Sequence, residues 1–281
     1  MKVRVLGCGG SGGVPLIGCR CAVCCSTDPL NKRSRVSIVV EEAGRRILVD
    51  TSPDLRQQFL ANGLASVDAV ILTHAHADHL HGLDDLRSVN YHRNAPLEIW
   101  ADAATLTEVK ERFGYAFSPP RTNAGIWYAP SLLGREIPVG TTTGLAGIDV
   151  TCFHQIHGGD RSPTLGLRFG GFGYSTDVRE MPEAGFAALA GIDTWLVDCL
   201  QDEPNPAHSH LSQTLDWIVR VAPRRAVLTH MSHRLEYHAL RRRLPPGVEP
   251  GFDGMSLDIA GSDVKDDRAA RSQATLLNER S

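Results

Sequence analysis

Six consecutive residues carry the densest chemistry in this chain: His74-Ala75-His76-Ala77-Asp78-His79. Three imidazoles and a carboxylate set this close would be costly to bury in a neutral core. Holding metal is the use that fits them. His74 and His76, two apart in an extended segment, point to one ion, while Asp78 and His79 turn away toward a second. Nitrogen and carboxylate donors in this mixture suit Zn, Mn or Fe and fit Ca poorly.

Cysteines make a second constellation. Of seven, four crowd into Cys19, Cys21, Cys24 and Cys25, whereas Cys8, Cys152 and Cys199 stand alone in apolar surroundings. In a reducing compartment such crowding reads as a metal site rather than as cystines. Cys19-x-Cys21-x-x-Cys24 lacks a fourth cysteine at the usual spacing, but three thiolates and one histidine close a tetrahedral Zn site. His233, in Leu228-Thr229-His230-Met231-Ser232-His233, is the best fourth donor. Cys25 competes with Cys24, and a reactive-thiol cluster without metal is the alternative. One apparent motif is refused. Gly7-x-Gly9-x-x-Gly12 follows a strand as a dinucleotide-binding loop does, but Pro15, Gly18 and the cysteines follow where a helix should open.

These residues need a scaffold, and its elements are readable. Strands are expected at Val3–Leu6, Arg35–Val40, Arg46–Asp50, Ala69–Thr73, Leu97–Ala101, Ile148–Phe153, Leu165–Phe169, Thr194–Cys199 and Ala226–Thr229. Ser52-Pro53-Asp54 reads as a helix start with Ser as N-cap, and Gly63 as its stop. Further helices are expected at His79–Val89, Ala103–Phe113, Pro182–Leu189, Ser212–Val221 and Tyr237–Arg243. This proportion implies a layered α/β sandwich in a single domain over residues 1–261. Residues 113–147, rich in Gly and Pro with Phe113, Tyr115, Phe117, Trp127 and Tyr128, read equally as a packed excursion or a substrate-covering lid. Residues 262–281 read as a polar, disordered tail.

Composition narrows the function classes. The 281 residues are 42% hydrophobic and 22% charged, with 29 Lys and Arg against 32 acids and a formal charge of −3. No basic field exists to hold a polyanion, so stable nucleic-acid binding is not expected. Apolar runs such as Val67–Thr73 fall far short of the ~20 residues of a membrane span. The N-terminus reads as a strand and not as a secretory signal, so a cytoplasmic protein is expected.

The His74–His79 segment is the HxHxDH signature, and through it the chain resembles the metallo-β-lactamase superfamily. The resemblance implies a four-layer αββα sandwich with two catalytic divalent ions, Zn or Mn, at one edge of the paired sheets. It implies His74, His76 and His157 on one ion, Asp78, His79 and His230 on the other, and Asp177 between them. Asp50 matches a carboxylate that steadies the HxHxDH loop, and reads equally as a helix-capping acid. His154 is a decoy for His157. The cysteine cluster, the Thr-His-x-Ser-His segment and Gly251-Phe252-Asp253-Gly254-Met255 resemble a narrower group, the phosphodiesterases of phosphonate breakdown that hydrolyse phosphoribosyl 1,2-cyclic phosphate. In that comparison Cys19, Cys21, Cys24 and His233 hold one structural Zn. Ser52–Gln58 and the cysteines also resemble the accessory protein of pyrroloquinoline quinone synthesis, which commonly lacks a full HxHxDH.

The expected activity is therefore hydrolysis of a small cyclic or nucleotide-like phosphodiester by a metal-bridging hydroxide. Asp78 is expected to orient that hydroxide. The leaving oxygen needs a proton, and Pro206-Ala207-His208-Ser209-His210-Leu211-Ser212 offers His208, which is favoured by position, and His210. Another hydrolase of this fold (nuclease, thioesterase or lactonase) and a non-catalytic accessory protein stay open. Relatives are often dimers, which leaves a homodimer open.

Overall fold

Runs of β-branched and other apolar residues become strands buried on both faces. In this computed structural model, which describes residues 1–119, 122–123, 126–159 and 162–259, the first half supplies β1 (Lys2–Gly7), β2 (Ser37–Glu42), β3 (Arg45–Val49), β4 (Ala69–Ile71), β5 (Leu97–Ala101), the short pair β6 (Thr122–Asn123) and β7 (Ile126–Trp127), and β8 (Leu132–Glu136). The second half supplies β9 (Thr142–Leu145), β10 (Ile148–His157), β11 (Ser162–Phe169), β12 (Phe172–Ser175), β13 (Thr194–Asp198), β14 (Arg225–Thr229), β15 (Val248–Pro250) and β16 (Ser256–Asp258). All but β6 and β7, which pair only with each other, form two seven-stranded sheets, ordered β16-β1-β2-β3-β4-β5-β8 and β15-β14-β13-β12-β11-β10-β9. From β16 in one sheet and from β9 in the other, antiparallel pairings give way to parallel ones at the same step, β3–β4 and β12–β13. The sheets thus repeat one plan, although the sequence shows no internal repeat.

Alternation along each strand divides the core. Ile47 and Val49 face the other sheet, joining Val3, Val5, Ile38, Leu167, Phe169, Trp195 and Leu228 in the larger cluster. Leu48, Val70 and Ile99 face outward, under helices α2 (Leu55–Ala61), α4 (Leu86–Arg93) and α5 (Ala103–Phe113), against Phe59, Leu86, Val89 and Val109. The short α1 (Ala22–Cys25) lies in the loop before β2 and the short α3 (Ala77–Leu80) in the loop after β4, and α6 (Glu183–Ala188), α7 (Leu211–Val221) and α8 (Tyr237–Arg243) belong to the second half. The result is the expected layered α/β sandwich. Among the described residues no helix is long and apolar enough to cross a membrane.

Three expectations change. The helix after Ser52 starts at Leu55, because the Ser52 hydroxyl accepts from the Asp54 amide at 3.0 Å in a turn that precedes it. The helix expected over His79–Val89 divides into α3, a 3-10 turn and α4. Gly82 marks the division: its amide donates to Thr51 O at 2.9 Å, and a Cβ there would stand 2.0 Å from Ser52 O. The stretch 113–147 supplies edge strands to both sheets, β8 to one and β9 to the other, with Trp127 buried. The tail expected over 262–281 lies outside the described residues.

Parallel strands share a direction, so the chain leaves β3, β4, β12, β13 and β14 on one edge of the sandwich. Residues there can converge even when far apart in sequence.

Candidate metal centre

The HxHxDH loop is held from beneath. Asp50, at the end of β3, adopts φ 64° and is fully buried. Its carboxylate accepts the Thr73 amide at 2.8 Å and the Thr73 hydroxyl at 2.9 and 3.1 Å. It also meets His79 Nδ1 at 2.7 Å, so Asp50 steadies the loop and caps no helix. Thr73 Oγ1 meets His74 Nδ1 at 3.0 Å. Both histidines are thereby turned to present Nε2.

Two groups of donors converge there. Ligand atoms of His74, His76, His157 and Asp177 lie within 4.8 Å of one another, as do those of Asp78, His79, Asp177 and His230. Asp177 belongs to both, one oxygen to each: Oδ1 lies 3.9 Å from His74 Nε2 and 3.7 Å from His157 Nε2. Its Oδ2 lies 3.0 Å from His79 Nε2 and 3.4 Å from His230 Nε2. Asp78 Oδ2 stands 3.4 Å from His79 Nε2 and 3.6 Å from His230 Nε2. Donors bonded at 2.0–2.1 Å to one tetrahedral ion stand about 3.3 Å apart, close to these separations.

The electrostatics call for cations. His74 Nε2, His79 Nε2, His230 Nε2 and Asp78 Oδ2 are buried without a hydrogen-bond partner, a costly state for such atoms. Burial opposes a charge on His79, yet Asp177, Asp78 and Asp50 outweigh it and lift its pKa well above the usual range. His230, likewise buried but facing Asp177, Asp78 and Asp198, is raised to about 9. His74, buried and beside His79, is pushed well below its ordinary value. A cluster that draws protons onto some imidazoles while expelling them from others fits divalent metal ions in its two donor groups.

Threonines and strained backbone place the shared carboxylate. Asp177 and His230 adopt φ 52° and 56°, the left-handed region that turns each side chain back over the sheet edge. Thr176 Oγ1 donates to Asp177 Oδ2 at 2.7 Å and Thr164 Oγ1 to Asp177 O at 3.0 Å. His157, the last residue of β10, meets the Ala207 carbonyl through Nδ1 at 2.8 Å. His154 is half exposed, with Nε2 3.7 Å from Asp102, outside both groups.

The two proton-donor candidates separate. His208 stacks on the His230 ring at 4.5 Å, and its centroid lies 4.6 Å from that of His157. His210 is the N-cap of α7 and enters none of the donor groups found among the described residues. His208 has a partner that sequence reasoning missed: Asp198, fully buried at the end of β13, meets His208 Nδ1 at 3.1 Å and accepts the Val178 amide at 3.0 Å. A carboxylate ending the apolar strand Thr194-Trp195-Leu196-Val197 was the available signal, the same one that Asp50 gives.

The thiols of Cys19, Cys21 and Cys24 also converge within 4.8 Å, while Cys25 is exposed outside the group. Cys24 Sγ accepts the Leu16 amide at 3.3 Å, and burial pushes this thiol up to about 11. The ring of His233 is not among these converged donors, but its segment lies against them: Cys21 Sγ donates to the His233 carbonyl at 3.9 Å. Glycines of the refused motif are needed for close backbone packing: a Cβ on Gly7 would stand 2.1 Å from Arg35 O and one on Gly9 2.8 Å from Arg33 O.

Residues 45–231 match the family described as the Beta-lactamase superfamily domain. The solved structure of a diphosphatase from the PhnP family is 34% identical, with a TM-score of 0.84 over 92% of this chain and 98% of that one. An octanoyltransferase of Porphyromonas gingivalis is 35% identical over 95% of this chain, which spans only 54% of that protein. Coenzyme PQQ synthesis protein B of Methylorubrum populi is 37% identical over 40% of each chain. Zn-bound PqqB of Methylobacterium extorquens, 23% identical with a TM-score of 0.74 over 92% of this chain and 100% of that one, shares the fold. The chain therefore belongs to the metallo-β-lactamase superfamily and, within it, resembles the PhnP family.

Proposed function

We propose that this chain is a dinuclear metal-dependent hydrolase of small phosphodiesters or diphosphates, cyclic or nucleotide-like. The observation that carries the reading is Asp177, whose two oxygens each face a separate group of donors. His74, His76 and His157 would hold one ion and Asp78, His79 and His230 the other, with Asp177 common to both. Ions bound there supply Lewis acidity toward phosphoryl oxygens and water that ionises at neutral pH.

The chain's own residues complete the chemistry. Asp198 engages Nδ1 of His208, which leaves Nε2 as the nitrogen that can hand a proton to the departing oxygen. His157 and His230 flank the His208 ring, fixing its plane beside the donors. Asp78 would orient water as well as hold an ion.

The test is turnover by Zn- or Mn-reconstituted protein of 2′,3′-cyclic AMP, bis(p-nitrophenyl) phosphate and a dinucleotide diphosphate. Turnover of at least one, lost with chelator and restored by metal, is the expected result. A second reading rests on the octanoyltransferase match: the chain could cleave acyl esters or thioesters. Hydrolysis of an octanoyl thioester with no phosphodiester cleaved would replace the first reading with the second.

A further inference from the structure

Beside the donor loop lies a row of aromatic rings that starts on the outer core, where Phe113 packs half-buried, and ends in solvent at Tyr115. His76 is exposed there, and so is His81, two residues beyond His79. Phe113, at the end of α5, sets its ring edge-on to His81 with centroids 5.9 Å apart. Tyr115, in the following 3-10 turn Gly114–Phe117, continues the row, 6.3 Å from Phe113. The residue is 46% exposed, yet it is not loose: its hydroxyl donates to Asp84 Oδ1 at 2.6 Å.

The row is also tied to the HxHxDH loop. Arg112 Nη1 donates to the carbonyl of Ala75, between His74 and His76, at 2.7 Å, and the same guanidinium pairs with Glu108. The end of α5 is therefore one hydrogen bond away from the donor loop, and the 3-10 turn that carries Tyr115 follows directly. Burying Tyr115 beside Phe113 would have been the ordinary outcome for so large a ring. A ring held open to solvent by its own hydroxyl bond gives a flat apolar face at little further cost in side-chain freedom.

We propose that His81, Phe113 and Tyr115 form a stacking platform for an aromatic base carried by the substrate, so that the substrate class is nucleotides and not simple sugar phosphates. This deepens the phosphodiester reading and rests on it for the placement of the phosphate at the donor cluster. Stacking of one base on an aromatic side chain changes affinity by roughly 5- to 150-fold.

The test is calorimetric binding of AMP and of ribose 5-phosphate to the metal-loaded protein, for the wild type, Tyr115→Ala and Tyr115→Phe. Wild type is expected to bind AMP roughly tenfold or more tightly than ribose 5-phosphate. Tyr115→Ala should weaken AMP about 5- to 10-fold with little change for ribose 5-phosphate, and Tyr115→Phe should keep most of the AMP preference. Equal affinity of the wild type for the two ligands, no binding of either, or equal weakening of both in Tyr115→Ala would overturn the platform. A preserved AMP preference without hydrolysis of any phosphodiester would instead remove the hydrolase reading and leave the platform standing.

Discussion

Asp50 Oδ2 and His79 Nδ1 stand 2.7 Å apart, both fully buried, and the bond settles which nitrogen of His79 reaches the donor cluster. With a carboxylate as partner, Nδ1 carries the proton and Nε2 is free to bind metal. An amide nitrogen in that place would face Nδ1 with a second donor, favouring the tautomer whose Nε2 is protonated. Asp50→Asn should therefore weaken divalent-metal binding about 10- to 100-fold, measured by competition with a chromogenic chelator, while circular dichroism stays native. Wild-type affinity in that variant would contradict the assignment of Nε2.

How much of this was legible depended on whether the deciding contact was local. Leu97–Ala101 and Ala103–Phe113 fall where the sequence places them, since the alternation that buries Leu97, Ile99 and Ala101 and an Asp102 cap are local signals. The HxHxDH loop is local too. The break at Gly82 is not, because Ser52, thirty residues earlier, forces it. The edge strands β15 and β16, of three residues each, carry too little periodicity to register. His154 and His157 look alike in sequence. Their odd spacing along β10 puts them on opposite faces, one half exposed beside Asp102 and one buried against Asp177. Asp198 falls inside the expected strand Thr194–Cys199, but its contact with His208, ten residues on, depends on the loop that follows β13.

His208 and Asp198 should reveal themselves through the leaving group. A departing alkoxide needs a proton far more than p-nitrophenolate does. His208→Ala should lower kcat about 10²- to 10⁴-fold on an alkyl diester, with a much smaller loss on bis(p-nitrophenyl) phosphate. Asp198→Asn should follow the same pattern more weakly, and His210→Ala should stay near wild type. Equal losses on both substrates would mean that His208 does not donate the proton.

The thiol group is expected to matter for folding more than for turnover. Cys21 Sγ accepts the Cys24 amide at 3.4 Å and opens α1, so it anchors the loop as well as the cluster. Cys21→Ser should release one tightly held ion per chain and lower the melting temperature, by about 2–4 °C for each kcal/mol lost. Metal analysis beside calorimetry checks both. An unchanged melting temperature with full metal content would show that these cysteines hold no structural ion.

Asp68 supplies the acid limb of the stability profile. Partial burial pushes its carboxyl up, but the Arg46 amide, Arg93 and Arg45 outweigh this and hold it below the ordinary 3.8. The bonds measure 2.9 Å to the Arg46 amide, 3.1 Å to Arg93 and 3.2 Å to Arg45, joining β3 to α4 across the start of β4. A carboxyl depressed by folding stabilises the native state above its unfolded pKa, and that contribution fades as pH falls through the folded value. Asp68→Asn should therefore lower the melting temperature at pH 7 by roughly 2–6 °C. The gap to wild type should narrow only below the ordinary carboxylate pKa. A gap that stays constant down to the acid transition would mean that the three arginines hold Asp68 through shape alone and not through its charge.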